Sequence, residues 1–112
     1  MAKYIFSYHQ PAGYVPRTDG EATAAWQSFF EGIAAHIVDP GQPVFDRRTV
    51  GDTGPGTQLG GYTIINAESL EAAVQLTKGC PSVQHGGGVQ VGELGEVPPA
   101  VTERLREGAA QR

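Results

Sequence analysis

The chain is predicted to be an α+β domain with the element order β-α-β-β-α-β, and three observations predict it. An aromatic, β-favouring stretch, "KYIFSYH", runs into a strongly amphipathic helical one. A nearly all-apolar strand, "YTIINA", is followed by a second helical stretch, "ESLEAAVQLTKG". A glycine-rich turn then opens a closing strand, "GVQVGEL". That order is the ferredoxin-like split βαβ, a four-stranded antiparallel sheet with two helices on one face. At 112 residues there is room for one such domain and no second. It is placed at residues 1–97, with 98–112 as a C-terminal tail.

Each element follows from local chemistry. In Lys3–His9 the side chains alternate, so Tyr4, Phe6 and Tyr8 share one face and Ile5, Ser7 and His9 the other. Pro11, Gly13 and Pro16 then break the strand. Ala22, Trp26, Phe29, Phe30, Ile33 and Ile37 recur at helical spacing, with Thr23, Gln27 and Glu31 opposite. Thr18 and Glu21 stand at the spacing of a capping box. Asp39-Pro40-Gly41 is expected to stop the helix, because proline disfavours helical geometry in the residue before it. "PVFDRRTV" (43–50) reads as the second strand, "GDTGPGTQLGG" as a flexible connection and Tyr62–Ala67 as a third strand covered on both faces. The second helix offers Leu70, Ala73, Val74 and Thr77 on one side, and Gly79 as its stop. In the tail, Pro99 starts a thin apolar seam of Val101 and Leu105, either a short docked helix or a partly ordered one.

With both helices on one face, the other face of the sheet is left open. "KYIFSYH" and "YTII" are apolar on both sides, so a lone subunit would expose a sizeable apolar patch. The expectation is a homodimer through the open sheet face, a dimeric α/β barrel.

Composition excludes several classes of partner. The net charge is −4 and the eight basic residues are scattered, which argues against nucleic acid or an anionic membrane surface. One cysteine forms no internal disulfide, and a reducing compartment suits it. The N-terminus lacks an apolar core of signal-peptide length, and no run is long enough to cross a bilayer. A cytoplasmic location is expected.

"CPSVQHGGG" (80–88) carries the only cysteine, a histidine and three glycines. A phosphate loop needs a helix N-terminus behind it, whereas this one leads into a strand, so the glycines read as a turn. Cys80 follows a helix end, whose partial negative charge opposes a thiolate, and reads as a semi-buried packing residue; a Cys80–His85 pair stays open. His9, His36 and His85 lack metal-ligand spacing, and no metal is expected. His36 reads as a boundary residue at the edge of the helix's apolar face. His9, at the strand end beside Ser7, is the leading acid–base candidate, against a backbone-bonded strand-end histidine. Trp26 reads as core or as a ligand-stacking ring.

Taken together, "KYIFSYH", "AAWQSFFEGIAAHIVDPGQPV", "LGGYTIINAESLEAAVQLTKGCP" and "GGGVQVGEL" resemble YCII-related (DGPF-type) proteins over about residues 3–95. The resemblance implies a ferredoxin-like fold forming dimeric α/β barrels. It also implies a proton-transferring dyad, a histidine in the first helix with an aspartate in an Asp-Pro step after the second. This sequence departs at both places: Ala24, Ala25 and Trp26 stand where the histidine would be, and Cys80-Pro81 replaces the Asp-Pro step. "DGPF" survives only as "DTGPG" (52–56). The function expected is that of a small dimer binding or transforming a small apolar or aromatic molecule between sheet and first helix, by cofactor-free proton transfer. His9 and Ser7 are its candidate catalytic groups, and Trp26, Phe29, Phe30, Tyr4, Phe6 and His85 its candidate ligand contacts. The alternative is a non-catalytic accessory or regulatory dimer. No flavin or nicotinamide motif is present, and no cofactor is expected.

Overall fold

The strand β1 (Ala2–Pro11) is the centre of the sheet, antiparallel to β3 (Thr57–Ala67) on one side and to β4 (Gly88–Glu93) on the other. A short β2 (Ile37–Asp39) pairs with the outer side of β3, giving the order β2-β3-β1-β4. This is the four-stranded antiparallel α+β sheet expected. The computed structural model describes residues 1–15, 18–54 and 56–110. Pro16 of the first loop and Pro55 of "DTGPG" lie outside the described residues.

The alternation in β1 sorts its side chains as the sequence predicts. Tyr4, Phe6 and Tyr8 are buried, with Thr63 and Ile65 of β3 beside them, and helix α1 (Gly20–Ile33) adds Phe29 and Ile33 to this core. Ile5, Ser7 and His9, opposite Ile64, Tyr62 and Leu59, lie on the second face, where Ile5, Ser7 and Ile64 are only half-buried. An irregularity between Tyr8 and His9 leaves Gly60 as an extra residue in β3. Such a bulge re-aims the side chains beyond it. Gln58 there reaches across to donate to the Tyr14 carbonyl at 2.9 Å.

Several element boundaries differ from the expectation. The cap of α1 is Asp19, one residue beyond Thr18, its carboxylate accepting from the Ala22 N–H at 2.9 Å. The helix does not run to Ile37: it ends at Ile33, tightens into a 3₁₀ turn (Ala34–His36), and the β-branched Ile37-Val38 start β2. There the His36 Nδ1–H donates to the Asn66 carbonyl at 3.2 Å.

The second strand is therefore not 43–50. From that segment only Pro43 bridges β3, at Gly61, and Val44 donates to the Gly60 carbonyl. Beyond them Phe45 and Val50 are exposed. Proline has no N–H to give to a ladder, and the charged run Asp46-Arg47-Arg48 resists burial. Residues 40–44 instead run along β3 at close quarters. Gly41 sits at φ +74° against the backbone of Tyr62, where a Cβ has no room.

The second helix is shorter than its pattern. Helix α2 spans Leu70–Gln75, capped by the Ser69 hydroxyl at the Ala72 N–H. Its buried face is Ala73 with Ala72 and Leu76 against it, while Leu70 and Val74 are half exposed. The Thr77 hydroxyl donates to the Val74 carbonyl at 2.7 Å and helps close the helix early.

Where a plain turn was expected, Cys80-Pro81 opens a one-turn helix α3 (Pro81–Gln84), with proline in the first position, which its fixed φ suits. Gly87 then passes so close to the His9 carbonyl that only glycine fits. The tail forms a helix α4 (Pro99–Ala110) whose Val101 and Leu105 face solvent.

Cys80 is fully buried rather than semi-buried, and burial raises its thiol pKa. The raised value keeps the thiol protonated in the folded state. Stability from this site is complete below the ordinary thiol range and is lost as pH climbs through the folded value. At pH 8 Cys80 is expected to resist a thiol reagent such as DTNB until the protein unfolds. A labelling rate matching that of a free thiol would contradict the burial.

Candidate active-site cavity

On the helix side of the sheet, a cavity of about 390 Å³ opens between β1, α1 and the 40–45 segment. Its aromatic wall is built from α1 and β1. Trp26 lies edge-on to Tyr8 with ring centroids 4.9 Å apart, and tilted against Phe30 at 5.8 Å. Edge-to-face geometry at these distances is the preferred one for aromatic pairs. One helical turn brings Trp26 and Phe30 to the same side. The volume and the apolar lining are those of a small-molecule site.

The polar groups come from strand ends and turns. Tyr8 donates its hydroxyl to Thr63 Oγ1 at 2.8 Å, and Thr63 in turn donates to the Pro40 carbonyl at 2.9 Å. Burial drives the Tyr8 phenol far above its ordinary pKa, so it stays protonated. Gln10, next on the same face of β1, also lines the cavity; its Oε1 is buried without a hydrogen-bond donor, and its carboxamide lies over Gly60, where a side chain would collide with it. His85, the C-cap of α3, stands exposed at the cavity's edge. It is the imidazole the cavity presents.

The structure divides the predicted site residues into three groups. Trp26, Phe30 and His85 line the cavity. Tyr4, Phe6 and Phe29 belong to the packed core. Ser7 and His9 do come together, Oγ to Nε2 at 2.9 Å, but on the second face of the sheet, with the sheet between them and the cavity. Among the described residues no three His, Cys, Asp or Glu side chains converge as metal ligands. None of the helices described is long and apolar enough to span a membrane.

Sequence reading misses Gln10 and the 40–45 wall. Gln10 is within its reach, since β1 alternation extended by one step puts it beside Tyr8. The 40–45 wall is hidden when Pro43 onward is read as a strand. Tyr14, which also lines the cavity, lies in a loop and carries no signal.

The family model of the YCII-related domain matches residues 4–94. The chain belongs to the YCII-related family. No curated protein matches it in sequence. Among solved structures, it is similar to 5-chloro-2-hydroxyhydroquinone dehydrochlorinase (TftG) from Burkholderia phenoliruptrix AC1100, in complex with 2,5-dihydroxybenzoquinone. The identity is 20%, the TM-score 0.56, and the match covers 87% of this chain and 96% of that one. At that identity the likeness is one of fold. Within this YCII-related chain, Ala25, Trp26 and Pro81, from the two places where the resemblance sets a histidine–aspartate dyad, border the cavity.

Proposed function

We propose that this YCII-related protein binds a small, mainly apolar aromatic molecule in the cavity between the sheet and α1, and transfers a proton on it without a cofactor. The observation that carries the reading is the 390 Å³ cavity with Trp26 and Phe30 as stacking surface and an imidazole, His85, at its edge. The similar fold of an enzyme named for a chlorinated hydroquinone substrate supports the class of ligand. An imidazole near neutrality takes a proton from an acidic position, the electron pair moves into the ring system, and the same imidazolium returns the proton elsewhere.

Trp26 is the only tryptophan, so its fluorescence reports the cavity directly. Small aromatics are expected to quench it saturably. His85→Gln is expected to leave that binding within about threefold and to slow turnover by roughly 10²–10⁴, the span of general acid–base catalysis. Absence of saturable quenching across a panel of substituted benzenes would remove the reading. Binding without any proton exchange into solvent deuterium would leave the accessory, non-catalytic role.

The second face of the sheet supports a further part of the proposal: a second copy of the chain covers it. Its centre is Ile5 and Ile64, opposite one another, with Ser7 beside them, and the charged Lys3 and Asp39 stand at its margin. A two-fold axis through such a patch sets apolar surface against identical apolar surface.

A further inference from the structure

The Tyr8 side of the cavity is set to accept a hydrogen bond, and we infer that it selects a neutral aromatic carrying an O–H or N–H donor, a phenol-class ligand, over the corresponding ether or carboxylate. This rests on the cavity being the ligand site, and it comes from the direction of one chain of hydrogen bonds. The Pro40 carbonyl has only lone pairs to offer. Thr63, 2.9 Å away, must therefore spend its single proton on it. With that proton committed, Thr63 Oγ1 can only accept from Tyr8, at 2.8 Å, so the phenol proton is committed as well. What Tyr8 has left for the cavity it lines is a lone pair. Thr63 is wholly buried, which keeps water from resetting the order.

Gln10 adds to the same polarity. Its Oε1 is a second acceptor without a donor, one step along β1 from Tyr8 and closed to solvent against Gly60, so a ligand reaches it only as the carboxamide turns toward the cavity. A buried acceptor left unpaired costs free energy until something donates to it. The described lining holds no Lys or Arg, so although Thr18, Thr23 and Gln42 stand elsewhere on it, a carboxylate entering beside Tyr8 would meet a lone pair and no guanidinium or ammonium to balance its charge. An ether or ester of the same shape would bring lone pairs to lone pairs.

The test is a set of three monosubstituted benzenes, phenol, anisole and benzoate, titrated against Trp26 fluorescence in the full chain. Phenol is expected to bind about tenfold more tightly than anisole, and benzoate more weakly still, the discrimination expected of one buried hydrogen bond. In Tyr8→Phe the phenol-to-anisole ratio is expected to fall severalfold while anisole affinity holds. Thr63→Val, which matches threonine in shape, frees the Tyr8 proton and is expected to shift preference toward anisole. Circular dichroism and thermal melting identify a variant that has merely lost its fold, and the wild-type ratio stands as a test without either variant. Equal wild-type affinity for phenol and anisole, or an unchanged ratio in both folded variants, would overturn the inference while leaving the cavity a binding site. No saturable binding of any of the three would instead overturn the site itself.

Discussion

Phe6→Ala is expected to cost about 3–5 kcal/mol, the range for emptying a fully buried aromatic site. Phe6 has no exposed surface, lies at the centre of β1 between β3 and β4, and packs edge-on near Tyr8 with centroids 6.5 Å apart. Strand pairing on both sides prevents the backbone from closing the hole. Domains of this size hold only about 5–15 kcal/mol in all, so the substitution consumes a large part of the margin. Urea unfolding should show a much lower midpoint with an unchanged slope. A midpoint within a few tenths molar of wild type would mean that the β1 core is not packed as described.

Ile64→Lys is expected to abolish self-association. The side chain lies on the second face opposite Ile5, and in an isologous pair each substitution enters the interface twice. Two ammonium groups facing one another across an apolar patch lose hydration and repel, a cost of several kcal/mol. Sedimentation equilibrium should then show wild type as a dimer at micromolar concentration and the variant as a monomer with unchanged secondary structure. A wild type that stays monomeric there would end the proposal that a second copy covers this face. Trp26 quenching by a cavity ligand should survive in the variant, because the cavity and the proposed interface lie on opposite sides of the sheet.

The parts of the fold legible in the sequence are those set by strict periodicity. Tyr4, Phe6 and Tyr8 at period two and Trp26, Phe29, Phe30 and Ile33 at helical spacing mark the buried face, since a single face must be apolar. The second strand is misplaced by pattern alone because Ile37 satisfies the helical period equally well, and only its pairing with Ile65 resolves it. In α2, Leu70 and Val74 fit the pattern and yet remain half exposed, because the helix is too short to bury more than Ala73. For the site, chemistry-bearing residue types are visible and their side of the sheet is the difficulty. His9 and Ser7 emerge as a pair, and their parity along β1 already sets them apart from Tyr8. His85 is weak on sequence alone, since nothing in "HGGG" says that a helical turn will hold it beside α1. The acceptor character of Tyr8 cannot be read at all, as it depends on Thr63 and Pro40, 55 and 32 positions away in the chain.

The pleat of β1 has an evolutionary consequence. Adjacent residues Tyr8 and His9 serve surfaces on opposite sides of one backbone layer. Point substitutions can therefore redraw the contents of the pocket without touching the face proposed for self-association, and the reverse. Insertion or loss of a single residue within this strand would exchange the two sets wholesale. Divergence in such a scaffold should thus proceed by replacement in β1, with length changes pushed out to the turns.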